Sequence, residues 1–248
     1  MSQKVDTAVI LAAGLGSRLK ERTKEMPKAF LEVDGKALIH RSIKQLLKSG
    51  ITKIIIGTGY LNHFFDDLKS TYPEIETWRN DDYESTGSMY TLFNLRHLLN
   101  SSFLLLEGDL LYEPFALETL ITDKNPDIIL ASGETHLNDE VYIEADKNWH
   151  LTNMSKKVTE LNHISGELVG ISKISTNTFE AMCAYAEAQY KIGNKEIHYE
   201  DDFVGISKDI NILIKKVDDL AWCEIDDEHH LQRALTQVYP KIKERSSL

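Results

Sequence analysis

Short apolar runs alternate with amphipathic helical patterns through the first half of this chain. The runs TAVILAA at 7–13, TKIIIGTG at 52–59 and SFLLLEGD at 102–109 read as buried strands, because apolar residues fill consecutive positions. Between the first two runs, residues 36–49 carry apolar side chains at helical spacing, and the pattern stops at Gly50. Strand, helix and strand in this order predict a parallel sheet with helices on both faces.

The second half of the chain changes character. Strand-like pieces separated by short polar turns predict an antiparallel extension of the sheet. These pieces are residues 127–133, 140–146, 150–155 and 167–175. The elements predicted after them are helices at 176–191 and 198–208, strands at 211–217 and 221–226, and a last helix with Leu231, Leu235 and Val238 on one face. We therefore expect one α/β domain over 1–248 with a mixed, mostly parallel sheet, and we interpret 240–248 as a linker or a frayed end.

Composition limits the partners that this chain can have. Its 248 residues carry a formal net charge of −11 and include 42% hydrophobic residues. These values are typical of a soluble protein with a large core and leave no broad basic face, so we expect no nucleic acid and no membrane partner. Cys183 and Cys223 lie in unrelated patterns, which argues against a disulfide framework or a zinc site. Neither a signal peptide nor a run of about 18 apolar residues is found, so we predict a cytoplasmic protein.

The stretch VILAAGLGSRLKERTKEMPKAFL at 9–31 combines a strand, a glycine loop and several cations. Gly14 and Gly16 allow a tight turn and a close approach of main-chain N–H groups to a phosphate. A turn that needs glycine for its dihedral angles alone would look the same. A Rossmann fingerprint would need a third glycine in place of Leu19, and the Gly-Lys-Ser/Thr of a Walker A loop is missing.

The run Leu11-Ala12-Ala13-Gly14-x-Gly16-x-Arg18-Leu19, followed by Pro27-Lys28, resembles the signature of the nucleoside-diphosphate-sugar pyrophosphorylase family of nucleotidyltransferases. The resemblance implies a three-layer Rossmann-like nucleotidyltransferase fold and a loop that holds a nucleoside triphosphate. The residues that it assigns to base and phosphate contact are Leu11, Ala12, Ala13, Gly14, Gly16 and Ser17. It assigns phosphate contact and catalysis to Arg18 and Lys28. Cations are needed there because negative charge accumulates as an oxyanion attacks the α-phosphorus and pyrophosphate leaves.

A divalent cation is expected as well, because both reactants are anionic and Mg²⁺ prefers carboxylate oxygens. Asp109 and Asp226 each stand directly after a predicted strand, where an aspartate is also a common turn or cap residue. Both positions resemble the metal-binding aspartates of the family, which implies that they hold Mg²⁺. Glu107 and Asp227 are neighbours that could share this role.

The segment Thr86-Gly87-Ser88 enters a predicted helix. Its main-chain N–H groups and small hydroxyls could read the edge of a pyrimidine, or Thr86 or Ser88 could serve only as a helix N-cap. Nearly the whole chain looks most like the small cytidylyltransferases that activate phosphocholine or 2-aminoethylphosphonate. The segments that carry this likeness are TGSMYTL, GELVGISKIS, HYEDDF and WCEIDDEHHL. The likeness implies CTP as the donor and a small phospho- or phosphono-amine as the acceptor.

The cationic end of the acceptor should decide between these two substrates. A quaternary ammonium favours an aromatic cage, whereas a primary ammonium favours carboxylates. The choline-directed relatives carry a tryptophan where this chain has Val141, so we expect an acidic pocket and favour 2-aminoethylphosphonate. The residues predicted to bind the acceptor are Asp139, Glu140, Lys156, Tyr199, Glu200 and Asp201. Two alternatives stay open: Tyr142, Trp149 and Tyr199 could cage phosphocholine, and Lys157 could replace Lys156 at the phosphonate.

Two rival functions share much of this pattern. A sugar-1-phosphate nucleotidyltransferase would use the same loop and the same aspartates, so only the acceptor pocket separates it from the function that we favour. A nucleotide-sensing protein of this fold would not need Arg18, Lys28 and both aspartates, and all of them are present. We therefore predict an enzyme. Fusion to or association with a transaminase, which similar cytidylyltransferases show, and a homodimer are both left open.

Overall fold

A computed structural model describes residues 5–135 and 140–246 of the chain. The strands are β1 (Thr7–Ala12), β2 (Glu32–Val33), β3 (Lys36–Ala37), β4 (Lys53–Thr58), β5 (Ile75–Arg79), β6 (Phe103–Glu107), β7 (Leu110–Tyr112), β8 (Ile128–Ser132), β9 (Tyr142–Ala145), β10 (Leu151–Ser155), β11 (Gly166–Ile174), β12 (Leu213–Val217) and β13 (Trp222–Glu224). The α-helices are α1 (Leu38–Lys48), α2 (His63–Asp67), α3 (Ser88–Asn94), α4 (Phe115–Thr122), α5 (Thr176–Lys191), α6 (Tyr199–Ile206), α7 (Glu228–Arg233) and α8 (Tyr239–Arg245). Two short 3₁₀ helices near the glycine loop span Ser17–Thr23 and Lys28–Phe30.

The first half of the chain forms the parallel part of the main sheet. Strand β1 pairs in parallel with β4 and β6, and β4 pairs in parallel with β5. Because successive side chains of a strand point to opposite faces, Ile10 packs with α1 and α4 on one face, and Val9 packs with α3 and α5 on the other. The helices therefore cover both faces, which confirms the predicted three-layer α/β architecture.

The second half of the chain adds the antiparallel part of the main sheet. Strand β11 pairs in antiparallel fashion with β6, β8 and β9, and β10 continues the sheet beyond β9. All nine residues of β11 are buried. Strand β12 runs parallel to β8 at the side. The mixed sheet with an antiparallel extension is therefore confirmed.

The end of the chain differs from the prediction in two ways. A π-helical segment at Ala234–Val238 interrupts the last helix and shifts its helical phase, so Leu235 is 37% exposed while Leu231 and Val238 are buried. The prediction that these three residues share one face is therefore wrong. Residues 240–245 belong to helix α8 and are not frayed. Distant residues hold this helix in place, because Arg245 pairs with Glu113 and Asp219.

The parallel strands bring several chain segments to one edge of the main sheet. Strands β1, β4 and β6 end at Ala12, Thr58 and Glu107, and the register places Leu11 beside both Gly57 and Glu107. The loops that follow these strands therefore meet at this edge, where ligands of such sheets bind. Among the described helices, none is long and apolar enough to cross a bilayer.

Candidate active site

The glycine loop leaves β1 at the carboxyl edge of the sheet. Gly16 has φ +64° in the left-handed region, and a Cβ on it would lie 3.2 Å from side-chain atoms of Thr23 and Lys28. The positive φ and these close side chains mean that the turn itself requires glycine at position 16. The Gly16 carbonyl also accepts the Thr23 hydroxyl at 2.9 Å. Gly14 differs, because a Cβ on it would meet nothing within 4 Å. No contact among the described residues therefore requires glycine at position 14.

A cavity of about 320 Å³ opens between the glycine loop and the start of α6. The predicted nucleotide residues in its wall are Leu11, Ala13, Gly14, Thr86, Gly87 and Ser88. The other predicted site residues in its wall are Asp109, Glu140, Lys156, Tyr199 and Glu200. A smaller cavity of about 110 Å³ shares Leu11, Gly14 and Asp109 with the first and reaches Ala12, Gly16 and Lys28. The residues predicted for the nucleotide and those predicted for the acceptor therefore line connected space.

Lys28 begins the turn Lys28–Phe30 and extends into a group of carboxylates. Its ammonium contacts Asp109 and Asp226, the latter at 2.5 Å, and Glu224 lies 3.8 Å away. Burial acts to lower the pKa of Lys28, but these three carboxylates together raise it well above its ordinary value. Lys28 is therefore charged, and the two aspartates predicted to bind metal approach one common cation.

A second carboxylate group lies beside this ammonium. Oxygens of Glu107, Asp109 and Glu224 all lie within 4.8 Å of one another. Burial raises the pKa of Glu107 to about 8, and repulsion from Glu200 and Asp109 adds to the effect. Burial and the same kind of repulsion raise the pKa of Glu224 well above its ordinary value. Both shifts favour the protonated carboxyl, so these groups stay largely neutral near pH 7 unless further positive charge approaches them.

One oxygen atom of this group is available to bind a metal ion. Asp109 Oδ1 is buried and has no hydrogen-bond partner among the described residues. Buried carboxylate oxygens are normally paired or bound to a metal, and hard divalent cations prefer such oxygens. The residues at this position therefore fit a divalent cation, with Asp109 at the centre of the group.

Asp226 stands two residues after the end of β13 and is hydrogen-bonded to Glu224 of that group. It pairs with both Lys28 and Arg18. Burial acts to raise the pKa of Asp226, but the neighbouring cations, Lys28 foremost, lower it to about 2. Asp226 is thus ionised and near Asp109, although it is outside the triad of oxygens within 4.8 Å.

The loop before α3 is locked against the segment before α6. A Cβ on Gly87 would lie 2.0 Å from the Ile197 carbonyl oxygen, so only glycine allows this approach. The Gly87 N–H donates to the Lys195 carbonyl at 2.9 Å. The position of this loop at the cavity is therefore fixed by packing against a segment more than a hundred residues away in sequence.

Thr86 and Ser88 do not cap α3 with their side chains. Ser88 Oγ accepts the Tyr199 N–H at 3.1 Å, and the Ser88 N–H donates to His198 Nδ1 at 3.3 Å. The Thr86 hydroxyl donates to the Asp82 carbonyl at 2.8 Å. The alternative that these residues act only as helix caps is therefore wrong, and Ser88 instead connects α3 to α6.

Carboxylates dominate the part of the cavity formed by α6. Tyr199, which is buried, donates its hydroxyl to Glu107 at 2.6 Å. Glu200 Oε2 is buried without a hydrogen-bond partner among the described residues, and burial raises the pKa of Glu200. Glu140 lines the same cavity. This part of the wall can receive a group that donates several hydrogen bonds and carries positive charge.

The aromatic cage that was left open is not assembled among the described residues. Tyr199 lines the cavity, but Tyr142 is buried in β9 and lies outside the lining. Trp149 is 43% exposed in the turn between β9 and β10. Val141 lines the cavity, as expected for an acidic pocket without a tryptophan.

The two lysines proposed for the phosphonate are distinguished by their surroundings. Lys156 lines the cavity. Lys157 pairs with Glu160 at 3.2 Å and is absent from the lining. Lys156 is therefore the lysine that can reach a ligand in this cavity.

Four of the predicted residues that the structure describes, Ser17, Arg18, Asp201 and Asp226, do not line these cavities. Ser17 is exposed at the start of its 3₁₀ helix. Asp201 accepts the His198 N–H at 2.8 Å as part of a capping box on α6. Asp139 lies outside the described residues.

Sequence reasoning missed Tyr83, His198 and Glu224, which also line the larger cavity. A signal existed for Glu224, because it stands two residues before Asp226, and alternate positions of a strand point to the same face. Tyr83 and His198 lie in polar segments between elements, where no periodic pattern marks them.

The known proteins to which this chain is similar are nucleotidyltransferases. The sequence profile of the MobA-like NTP transferase domain matches residues 8–168. The CTP:phosphoglutamine cytidylyltransferase of Campylobacter jejuni is 24% identical over 88% of this chain and 95% of its own length. The 2-aminoethylphosphonate cytidylyltransferase of Lancefieldella rimae is 23% identical over 88% of this chain and 87% of its own length.

Another relative matches a shorter part of this chain at a higher sequence identity. The choline-phosphate cytidylyltransferase of Streptococcus pneumoniae is 41% identical over 98 residues, which are 40% of this chain and 42% of that protein. Among solved structures, the inositol-1-phosphate CTP transferase of T. maritima has a TM-score of 0.81 at 19% identity and covers 98% of both chains. This last likeness shows that the two chains share a fold.

Proposed function

Because this chain belongs to the MobA-like NTP transferase family, we propose that it is a cytidylyltransferase that transfers CMP from CTP to 2-aminoethylphosphonate. Membership confirms the nucleotidyltransferase class expected from the sequence, and the donor and acceptor are our proposal. The cytidylyltransferase activity of the three relatives named above supports CTP as the donor. The single observation that carries the acceptor is the acidic wall of the cavity, where Glu107, Glu140 and Glu200 line the space beside the glycine loop.

The nucleotide would occupy the part of the cavity bordered by the glycine loop. Gly14 leaves open space where any other residue would place a side chain, so the main chain can approach a phosphate there. The residues proposed to surround the nucleotide are Leu11, Ala12, Ala13, Gly14, Gly16, Ser17, Thr86, Gly87 and Ser88. The fixed position of Gly87 and Ser88 suits them to contact the base through main-chain N–H and hydroxyl groups.

Asp109 and Asp226 would hold Mg²⁺, with Glu224 as a neighbour able to share the ion. The support is the unpartnered buried oxygen of Asp109 and the excess of carboxylates over cations around Lys28. A bound ion would neutralise phosphate charge and polarise phosphate oxygens.

The reaction is a single in-line displacement. A phosphonate oxygen of the acceptor forms a bond to the α-phosphorus of CTP as the bond to the β-phosphate oxygen breaks, and pyrophosphate leaves with that electron pair. Lys28 and Arg18 stabilise the charge that develops on the phosphate oxygens, and Lys156 binds the phosphonate. The enzyme forms no covalent intermediate, so orientation and charge neutralisation supply most of the rate enhancement.

The acceptor amine would bind the carboxylates at the α6 end of the cavity. A primary ammonium donates three hydrogen bonds, which suits a wall with acceptors from Glu107, Glu140 and Glu200. A trimethylammonium group donates none and would leave those carboxylates unpaired. Phosphocholine is the second candidate, and the observation that favours it is the 41% match to the choline-phosphate enzyme.

The proposal is tested by a grid of ATP, GTP, CTP and UTP against 2-aminoethylphosphonate, phosphocholine, phosphoethanolamine and glucose 1-phosphate, with Mg²⁺ and pyrophosphate release as the readout. We expect CTP with 2-aminoethylphosphonate to give the highest kcat/KM, about tenfold or more above CTP with phosphocholine, as expected for one or two lost charge-assisted hydrogen bonds. The Lys28→Ala variant, purified in parallel, controls for contaminating activity. A response confined to glucose 1-phosphate would disprove the acceptor, and a preference for ATP or GTP would disprove the donor.

A further inference from the structure

A third cavity, of about 550 Å³, lies on the outer side of α1 and shares no lining residue with the two cavities described above. Aromatic side chains of Phe30, Phe64 and Tyr72 form its wall, and Lys36 and Lys44 border it. We propose that this cavity is a ligand site for a small anion that carries a flat ring, such as an aromatic phosphate, and that its occupancy alters the position of Lys28.

The aromatic wall is held in place by contacts between its own rings. Phe30 meets Phe64 edge to face with ring centres 5.3 Å apart, and it meets His40 with ring centres 6.2 Å apart. His40 Nδ1 lies 3.1 Å from the Tyr72 hydroxyl oxygen. These contacts join the rings into one wall, which offers the faces and edges against which a planar ring packs well.

The border of the cavity concentrates positive charge in a protein with a net charge of −11. Burial, and then repulsion from Lys44 and Arg41, lower the pKa of Lys36. Neither Lys36 nor Lys44 forms an ion pair in the part of the chain that the structure describes. Glu32, which is exposed, also borders the cavity.

Arg41 stands behind these lysines and is already engaged. Its guanidinium donates to the Lys36 carbonyl at 3.3 Å and to the Val33 carbonyl, and it lies 4.6 Å from the centre of the Tyr239 ring. It therefore adds to the local potential without moving toward a ligand. An anion placed between Lys36 and Lys44 would relieve the repulsion among these three cations.

The cavity is connected to the candidate active site through one short turn. Lys28 and Phe30 are the first and last residues of the turn Lys28–Phe30, which is closed by a hydrogen bond of 3.0 Å from the Leu31 N–H to the Lys28 carbonyl. Lys28 extends toward Asp109, whereas Phe30 lines the third cavity. A ligand that moves Phe30 must therefore act on the turn that positions the Lys28 ammonium.

The binding part of the proposal is tested with 1-naphthyl phosphate as the probe, by ligand-observed NMR on the full chain with saturating CMP and Mg²⁺ present. We expect the Lys36→Gln/Lys44→Gln variant to bind the probe about tenfold or more weakly, because two charge-assisted contacts are lost. The matched control is Lys48→Gln/Lys191→Gln, which removes the same charge from exposed lysines outside the cavity and should bind as the unmodified protein does.

Three further ligands separate the contributions of ring and charge. We expect 1-naphthol and inorganic phosphate each to bind about tenfold or more weakly than 1-naphthyl phosphate, and 1-naphthoate to show whether a carboxylate can replace the phosphate. Equal affinity of the probe for the Lys36→Gln/Lys44→Gln variant and the control would overturn the site. Displacement of the probe by CTP alone would also overturn it, because the probe would then occupy the nucleotide cavity.

The coupling part rests on the proposed function, since its readout is pyrophosphate release. We expect saturating 1-naphthyl phosphate to change kcat about fivefold in the unmodified protein and to leave kcat of the Lys36→Gln/Lys44→Gln variant unchanged. An unchanged kcat with the probe bound would disprove the coupling while leaving the site intact. Failure of the proposed function would instead appear as absent turnover in every sample, with probe binding unaffected.

Discussion

The two ends of the main cavity are built in different ways. Most of the nucleotide end comes from residues 9–28, which leave β1, turn at Gly16 and return at Lys28, and the loop before α3 adds Thr86, Gly87 and Ser88. The acceptor end gathers Glu107, Glu140 and Glu200 from three separate elements. The first end can therefore change by local substitutions, whereas the second depends on how α6 packs on the sheet.

Two glycines of the predicted nucleotide site also differ in what requires them. Gly14 has no protein atom within 4 Å of a Cβ position, so its glycine serves an approaching ligand. Gly87 has a carbonyl oxygen 2.0 Å from that position, so its glycine serves the packing of two chain segments. Substitutions at Gly14 and at Gly87 should therefore separate an effect on nucleotide binding from an effect on stability.

The largest effect is expected at Lys28, where both ends meet. The Lys28→Ala variant should lose about a thousandfold in kcat, because the cation facing the transferred phosphoryl group is removed. The matched control is Lys24→Ala, an exposed lysine in the same stretch that pairs only loosely with Glu21 at 3.9 Å. Pyrophosphate release gives the rates, and circular dichroism checks that both variants fold. Near-normal turnover of Lys28→Ala would contradict the catalytic assignment.

The next effect compares the two glycines directly. Gly14→Ala should raise KM for CTP about tenfold or more without changing Tm, because the methyl group enters only the ligand space. Gly87→Ala should lower Tm, because the methyl group meets the Ile197 carbonyl. Thermal melting and steady-state kinetics of both variants check the pair. A Tm loss for Gly14→Ala equal to that for Gly87→Ala would contradict the distinction between a glycine required by the ligand and a glycine required by packing.

A smaller effect is expected at the acceptor end itself. Glu200→Gln should raise KM for 2-aminoethylphosphonate about tenfold and leave KM for CTP unchanged, because one charged acceptor of the ammonium is lost. Its matched control is Asp201→Asn, which alters the cap of α6 and should lower stability by about 1 kcal/mol without this change in KM. The two KM values, measured for both variants, decide the outcome. Equal KM increases for both substrates would show that Glu200 acts on the whole cavity and not on the amine.

The smallest effect on activity is expected at Asp202, one turn into α6. Burial, and then the charge of Asp201, raise the pKa of Asp202 to about 8, and neither carboxyl oxygen has a hydrogen-bond partner among the described residues. The unfolded chain releases this proton near pH 4, so the folded state binds more protons between about pH 4 and pH 8. The free energy of unfolding should therefore fall as the pH rises through this window.

The Asp202→Asn variant should remove most of that slope and gain about 2 kcal/mol at pH 8, because the neutral amide avoids the cost of burying a charge. Urea unfolding of both proteins at pH 5 and pH 8 measures the difference, and kcat should stay within about twofold. An identical pH slope in both proteins would show that Asp202 is not the group responsible.

Several features of the fold were predicted from the sequence because they depend on neighbouring residues. The apolar runs gave β1, β4 and β6, and the helical pattern of 36–49 gave α1 at Leu38–Lys48. Leu235 was predicted incorrectly, because a π-helical segment changes the phase of a pattern that continues unaltered in the sequence. The docking of α8 was also missed, since its partners Glu113 and Asp219 lie far away along the chain.

The sequence by itself determined the layered sheet, the family and the nucleotide loop, because strand periodicity and the glycine loop are properties of continuous segments. Only the tertiary structure decided that Asp109 and Asp226, more than a hundred residues apart, approach one lysine, and that Asp201 caps a helix while Glu200 lines the cavity. The physical reason is that charges and hydrogen-bond partners interact through proximity in space, and a pattern within one continuous segment does not reveal which distant segments become neighbours.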